Sequence, residues 1–211
     1  MILIWLEEID SRWFGAALHD GALVATAAAP ARDVVRRAIL DSLPPDAPRR
    51  IMEEPSKEST STLRMLADLE RGNEEQKRFE LSSAYVLEPL RSVLRTAAAI
   101  PKGYVSTYGS IAAVAHTDAQ TVGQIMATNP LYPVVPCHRV VGADLSLTGY
   151  RGSRKTPALL AKLERLRTER QGFVEESMIE TAGPLKVVPV EWAIARAAKD
   201  GVTSDRQLDL W

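Results

Sequence analysis

Residues 134–141, with the sequence VVPCHRVV, place the single cysteine of this 211-residue chain between two pairs of valines and directly before a histidine. Apolar pairs on both sides predict a short buried segment that reaches the surface near Pro136. A thiol with its ordinary pKa of about 8.5 is mostly protonated at neutral pH, and an adjacent imidazole could activate it. Cys137 is therefore either a small buried apolar side chain or an activated nucleophile.

Composition excludes several classes of protein. Hydrophobic residues make up 45% of the chain, with a mean hydropathy of −0.11, which is typical of a soluble globular protein with one or two domains. No apolar run approaches the ~20 residues of a membrane span, and Glu7 and Glu8 interrupt the apolar start. One cysteine rules out an internal disulfide and a Cys-rich zinc site. We expect a cytoplasmic, nucleoid-associated protein without a signal peptide, a metal or a cofactor.

Charge is distributed unevenly along the chain. Residues 101–170 contain nine Lys or Arg and four Asp or Glu, a net charge of +5, while the remainder carries −6. A basic segment of this kind could face phosphates. A solvated helix carrying Lys162, Arg165, Arg167 and Arg170 would give the same count.

The first third of the chain predicts an α/β domain. Apolar runs at 1–8 and 12–18 indicate strands, and His19-Asp20-Gly21 predicts a turn into a third strand at 22–26. Helical spacing of apolar residues follows around 34–39 and 63–69. A polar surface loop is predicted at 71–78, and the domain boundary near residue 85.

The next part predicts short helices. Pro89 can begin a helix whose apolar residues Leu90, Val93, Leu94, Ala97 and Ala98 share one face. Helices at 110–115 and 119–127, with Asp118 as N-cap, surround a tight turn and predict a helix-turn-helix. The second helix directs Val122, Ile125 and Met126 to the core. Its opposite face carries small or polar residues that would allow close approach to a nucleic acid groove: Ala119, Gln120, Gly123 and Ala127.

The end of the chain predicts a helix over residues 191–199, followed by Gly201. Trp192 and Trp211 suggest that this segment packs onto the body of the protein. No function follows from its sequence.

Five segments together resemble the C-terminal domain of the O6-alkylguanine-DNA alkyltransferases, which repair DNA by direct reversal. They are Ile100-Pro101-Lys102-Gly103, Thr107-Tyr108-Gly109-Ser110, Asn129-Pro130, Pro136-Cys137-His138-Arg139-Val140 and Leu147-Thr148-Gly149-Tyr150-Arg151-Gly152. The match extends in unbroken register from about 90 to 166. The resemblance implies a ribonuclease-H-like α/β domain at 1–85, a mainly α catalytic and DNA-binding domain with a helix-turn-helix at 86–170, and an extension at 171–211.

The resemblance also implies roles for individual residues. Cys137 takes the alkyl group, His138 acts as its base through a water, and Glu164, 27 residues after the cysteine, orients the imidazole. Tyr108 donates a proton to the leaving base, and Asn129 braces the turn of the active site. The residues expected to contact the substrate are Met126, Val140, Tyr150 and Arg151. Those expected to contact DNA are Tyr108, Ala119, Gln120, Gly123 and Ala127.

The chain departs from the family pattern at three positions. Gln120 stands where the family has an arginine that enters the duplex in place of the flipped nucleotide, and it lacks the guanidinium charge. Gly152-Ser153 replaces a Gly-Gly pair. Pro157 occupies the position of a family lysine, for which we expect Arg154 or Lys155 to compensate.

The function implied is irreversible transfer of an alkyl group from O6-alkylguanine in double-stranded DNA to Cys137, by a monomer that acts once. O4-alkylthymine is left open as a second substrate. One alternative is a lesion-binding protein that senses alkylated bases without transfer. Another is a cysteine hydrolase that uses Cys137 and His138, although no hydrolase signature is present.

Overall fold

The computed structural model describes residues 1–74 and 78–202. The predicted loop at 71–78 lies partly outside these ranges, and the packing predicted for Trp211 lies wholly outside them. The chain forms two compact units. The first contains Met1–Arg91 and Pro130–Val135; the second contains Ser92–Asn129 and the described residues from Pro136 onward. The division falls six residues beyond the predicted boundary near 85, and residues 171–202 belong to the second unit.

The first unit is a four-stranded sheet with two helices. Strands β1 (Ile2–Ile9), β2 (Arg12–His19) and β3 (Ala22–Ala29) form an antiparallel meander, and β4 (Arg49–Ile51) pairs in parallel with β1. The sheet order is β3-β2-β1-β4. Helices α1 (Arg32–Asp41) and α2 (Lys57–Glu70) pack against it. The predicted turn is present, because Asp20 and Gly21 adopt positive φ angles of 50° and 78°.

A second four-stranded sheet, which the prediction of a mainly α domain lacked, lies in the second unit. Its order is β6-β5-β8-β7, from strands β5 (Tyr104–Thr107), β6 (Val140–Val141), β7 (Ser177–Glu180) and β8 (Pro184–Pro189). Helices α3 (Leu90–Ala98), α4 (Tyr108–Val114), α5 (Ala119–Thr128), α6 (Thr156–Thr168) and α7 (Val190–Lys199) complete the described elements. Both units are therefore mixed α/β. Strands of two to six residues leave too little periodicity to detect in sequence.

Helices α4 and α5 follow one another across the short turn that was predicted. The Thr107 hydroxyl accepts from the Ser110 N–H at 3.0 Å and caps α4, and Asp118 accepts from the Thr121 N–H at 2.9 Å and caps α5 as predicted. Val122 and Met126 are buried, while the side of α5 that carries Ala119, Gln120 and Ala127 is exposed. The predicted orientation of this helix holds for these five residues, while Ile125, predicted to face the core, and Gly123, predicted on the opposite face, are both half-buried.

Residues 171–202 pack through positions other than the predicted Trp192, which is 39% exposed. The buried residues of this segment are Leu185, Val187, Val188, Pro189, Val190, Ala193 and Ala197. None of the helices in the described ranges combines the length and the apolar character that crossing a membrane requires.

Candidate active site

Cys137 begins a 3-10 turn, Cys137–Arg139, that leads directly into β6. The side chain is buried, and burial is the main influence that raises the pKa of the Cys137 thiol. A hydrogen bond with the Asn129 side chain and the charges of Lys162 and Arg151 act in the opposite direction. The structure therefore brings Asn129, at the end of α5, to the thiol. A thiol with a raised pKa needs a base to become a nucleophile.

His138, Arg139 and Glu169 form a buried cluster next to this thiol in the chain. His138 Nε2 lies 2.7 Å from Glu169 Oε1. The Arg139 guanidinium donates to both carboxylate oxygens of Glu169, from Nε at 2.7 Å and from Nη2 at 2.8 Å. Arg139 Nη1 also donates to the Ile100 carbonyl at 2.7 Å. One carboxylate thus holds both the imidazole and the guanidinium in place.

Glu164 is not the partner of His138, so that prediction was wrong. Glu164 lies on the exposed side of α6, where its carboxylate accepts from Arg167 Nη1 at 2.6 Å. The buried side of α6 carries Lys162, Leu163 and Leu166, and Glu169 follows the helix as its C-cap residue. Spacings of three, four and seven residues place these positions on one face and Glu164 on another. This helical spacing was the signal in the sequence that could have identified Glu169.

Lys162 is a second buried residue, which the sequence analysis included only in the alternative of a solvated helix. Its ammonium group is buried and donates to the Val140 carbonyl at 2.6 Å and to the Gly149 carbonyl at 3.0 Å. Burial lowers the pKa of Lys162 to about 8, against a smaller opposing effect of Cys137. Lys162 lies five residues beyond Pro157, as Glu169 lies five residues beyond Glu164. Both buried residues thus lie at the same five-residue offset from the positions that the resemblance implied.

Arg139 and Lys162 also change the interpretation of the basic segment 101–170. Two of its nine cations are buried and bound to groups inside the protein, together with one of its four acids, Glu169. The groups that remain at the surface carry a net charge of +4. The excess of positive charge persists, but α6 is not the wholly solvated helix that the alternative required.

The loop between β6 and α6 contacts Tyr108. The Thr148 hydroxyl donates to the Tyr108 oxygen at 3.3 Å, and burial raises the pKa of Tyr108. Tyr150 and Ser153 pair across a tight turn in which Arg151 and Gly152 adopt φ angles of 49° and 76°. A Cβ at Gly152 would lie 3.4 Å from the Ala127 carbonyl oxygen, so glycine allows the turn to approach the end of α5.

The remaining predicted substrate residues differ in exposure. Met126 and Val140 are buried, and the Val140 carbonyl accepts from Lys162. Tyr150 is 7% exposed, while Arg151 and Gln120 lie at the surface. Among the predicted residues, Asn129 is hydrogen-bonded to Cys137, His138 follows Cys137 in the chain with its ring on Glu169, and Tyr108 contacts Thr148. No role was assigned from the sequence to Arg139, Thr148, Lys162 or Glu169.

Acid should destabilise this site through Glu169. Burial alone would raise its pKa, but hydrogen bonds from His138 and Arg139 lower the pKa to about 2, from 4.5. A carboxyl group with a depressed pKa contributes stability that is complete above its unfolded-state pKa and is lost as the pH falls toward the folded-state value. We expect a contribution of about 3 kcal/mol, of which about 2 kcal/mol disappears between about pH 6 and pH 3.

Urea unfolding at both pH values measures this loss. Glu169→Gln should lose less stability than the unmodified protein over the interval, by about 2 kcal/mol. Glu164→Gln is the matched control and should retain the pH dependence of the unmodified protein, since Glu164 is exposed. Equal losses in the two variants would contradict the assignment of the low pKa to Glu169.

Comparisons with known proteins identify similar sequences and folds. Residues 89–171 match the family described as 6-O-methylguanine DNA methyltransferase, DNA binding domain. The chain is 55% identical over 53 residues to a methylated-DNA–protein-cysteine methyltransferase of Pyrobaculum aerophilum, covering 25% of this chain and 36% of that protein. It is 44% identical over 77 residues to the protein of that name from Mycolicibacterium paratuberculosis, covering 36% and 47%. The matches thus span less than half of these relatives.

Two solved structures show the same fold over most of the chain. Mycobacterium tuberculosis OGT in complex with DNA has a TM-score of 0.51 at 22% identity, covering 80% of this chain and 92% of that one. An O6-methylguanine DNA methyltransferase from Methanococcus jannaschii has a TM-score of 0.51 at 22% identity, covering 83% and 99%.

The fold and the buried thiol define an α/β protein with a cysteine-centred site. Over residues 89–171, the chain is similar to the 6-O-methylguanine DNA methyltransferase family.

Proposed function

We propose that this protein repairs double-stranded DNA by moving an alkyl group from O6 of guanine to Cys137. The carbon–oxygen bond breaks as a carbon–sulfur bond forms, and guanine is left intact. The observation that carries the proposal is a buried thiol followed by an imidazole that a buried carboxylate holds in one orientation. A thiolate is a soft nucleophile suited to displacement at carbon.

His138 is the base in this proposal. With its Nε2–H donated to Glu169 at 2.7 Å, the neutral ring carries its free lone pair on Nδ1. Nδ1 is buried and lacks a hydrogen-bond partner among the described residues. Burial lowers the pKa of His138, so the ring is neutral and able to accept the thiol proton through a bridging water at neutral pH. Glu169 stabilises the imidazolium that results.

Tyr108 supplies the proton that the leaving guanine requires. Its raised pKa keeps the phenol protonated, and Thr148 orients its oxygen. Asn129 holds the thiol in place. Tyr150 closes on the extruded base, while Met126 and the backbone of Val140 and Arg151 surround it.

Helices α4 and α5 act as a DNA-binding helix-turn-helix. The exposed side of α5 presents Ala119, Gln120 and Ala127, with Gly123 beside them, to a groove of the duplex. Tyr108 begins α4, and surface charges of residues 101–170 contact phosphates. The first unit, with its meander and parallel fourth strand, is assigned to the ribonuclease-H-like class. The protein acts as a cytoplasmic, nucleoid-associated monomer.

The reaction occurs once for each protein molecule. A thioether is a stable product, and the chain has no second cysteine to which the alkyl group could pass. The protein needs no cofactor for the transfer. O4-alkylthymine remains a second substrate to be compared.

Mass spectrometry after incubation with an O6-methylguanine oligonucleotide tests the proposal. We expect one methyl adduct on Cys137 for each molecule. An unmodified protein in a stable complex with the oligonucleotide would instead support lesion binding without transfer. Multiple turnover would indicate a cysteine hydrolase.

Gln120→Arg should accelerate transfer from duplex DNA by about threefold to tenfold. Extruding a base costs a few kcal/mol, and a guanidinium that fills the vacated stack offsets part of that cost. Reaction with free O6-benzylguanine, which needs no extrusion, should change by less than about twofold. Single-turnover rates on both substrates provide the measurement.

Gln124→Arg is the control, since Gln124 is another exposed glutamine of α5. It adds the same charge one turn away and should strengthen DNA binding without raising the rate at saturating DNA. If both variants accelerate transfer equally, the effect at position 120 is due to the added positive charge and not to filling of the vacated stack.

A further inference from the structure

Residues 171–202 extend beyond the matched family domain and are built into the sheet of the second unit. Strand β8 pairs with β5 through Tyr104↔Pro189 and Val105↔Val188. The Ser106 hydroxyl donates to the Lys186 carbonyl at 2.7 Å. The opposite edge of β5 pairs with β6, which follows the turn of Cys137. The extension therefore continues the sheet that ends beside the thiol.

Helix α7 of the extension holds the turn that follows β6. Arg196 Nη2 lies 2.8 Å from Asp144 Oδ2, and Arg196 Nη1 donates to the Asp144 carbonyl at 3.4 Å. Leu145 packs against a hydrophobic cluster that includes Ala193 and Ala197 of α7. Both the side chain and the backbone of the turn thus contact the extension.

The backbone of this turn depends on such contacts. Leu145 has a φ of 66°, in the left-handed region that is unfavourable for a bulky side chain. Asp144 Oδ1 accepts from the Ser146 N–H at 3.1 Å, and the Gly142 N–H donates to the Ser146 carbonyl at 2.9 Å. The carboxylate that Arg196 binds is therefore also the group that shapes the turn.

The same turn leads to the reaction centre. Four residues after Asp144, the Thr148 hydroxyl donates to the Tyr108 oxygen at 3.3 Å. This distance is long for an O–H···O hydrogen bond, so a small displacement of the loop would break it. The next residue, Gly149, accepts from the buried Lys162.

We propose that Arg196 is a positioning residue for alkyl transfer. By holding Asp144, it fixes the loop that brings Thr148 to Tyr108, the proton donor of the proposed function on which this inference rests. The extension is thereby part of the transfer machinery, although it lies outside the matched domain.

The rate of a single turnover at saturating O6-methylguanine duplex tests this role. Arg196→Ala and Asp144→Asn should each slow transfer about fivefold, the scale of one exposed ion pair, with the affinity for DNA unchanged. The double variant should be no slower than either single variant. Asp200→Asn is the matched control, because it removes only the intrahelical partner of Arg196 and should leave the rate within about 1.5-fold.

A Thr148→Val background separates positioning from general support of the fold. Without the hydroxyl that contacts Tyr108, Arg196→Ala should slow transfer by less than about 1.5-fold further. A fivefold effect that persists in this background would overturn the proposal. So would a rate for Arg196→Ala equal to that of the unmodified protein.

Hydrogen–deuterium exchange of residues 142–150 distinguishes failure of this inference from failure of the proposed function. Exchange should rise in Arg196→Ala and remain unchanged in Asp200→Asn. Faster exchange without slower transfer would overturn the role of Arg196 alone. Absence of transfer by the unmodified protein would overturn the proposed function and, with it, the role of Arg196 in transfer.

Discussion

Cys137→Ala is expected to abolish alkyl transfer while leaving the Kd for double-stranded DNA within about twofold of the unmodified value. The chain contains no other thiol, so the variant has no soft nucleophile at this position. Affinity should persist because phosphate contacts supply most of the binding free energy. Mass spectrometry of the protein and titration with DNA at fixed salt measure the two quantities.

The substitution itself should disturb the fold little. Cys137 is buried and small, and alanine removes one sulfur atom without adding a polar group. Thermal unfolding provides the check that the variant is folded. A methyl group found on any residue of the Cys137→Ala protein would refute Cys137 as the acceptor.

Glu169→Gln is expected to slow transfer by about 100-fold or more, while Glu164→Gln remains within about twofold of the unmodified protein. General-base catalysis contributes about 10²- to 10⁴-fold, and in the proposed function it depends on an imidazole held by the Glu169 carboxylate. Glu164 faces solvent and pairs with Arg167. Single-turnover rates of the two variants on one duplex substrate decide between the glutamates.

Glu169→Gln could slow transfer either by removing the carboxylate from the reaction or by destabilising the fold. Glu169→Gln leaves the buried Arg139 guanidinium without a neutralising charge, at a cost of about 3–5 kcal/mol. Arg139→Met combined with Glu169→Gln removes both charges and should recover much of the stability. If this folded double variant transfers as fast as the unmodified protein, the carboxylate has no catalytic role.

The pH–rate profile gives a further distinction. Burial lowers the pKa of His138 and the Glu169 carboxylate opposes that effect, so loss of the carboxylate should move the acidic limb of the profile to lower pH. A purely structural role of Glu169 would leave the shape of the profile unchanged.

Local features were predictable from sequence because their causes lie within a few residues. The N-cap of α5 depends on Asp118 and Thr121, three positions apart, and its exposed side follows from the helical period. The first three strands and their turn are similarly encoded by short apolar runs and Asp20-Gly21. The adjacency of a thiol and an imidazole was visible as the neighbours Cys137 and His138.

Contacts between distant segments required the structure. The sheet of the second unit pairs β5 with β8, about 80 residues later, through strands too short to show a period. No local pattern specifies that partner. The contact of Arg196 with Asp144, which underlies the role inferred for the extension, likewise joins segments far apart in the chain and has no local signal in the sequence.

The glutamate that contacts His138 could be narrowed to one helix from the sequence, but only the tertiary structure identified it as Glu169. Sequence alone placed a cysteine, its neighbouring imidazole and a charged helix after Tyr150, because each depends on local composition. Which carboxylate of that helix meets His138 depends on the length of the loop before α6 and on which side of α6 is buried. Tertiary packing buried Lys162, Leu163 and Leu166 and carried Glu169 inward with them, since residues three, four and seven apart share a helix face.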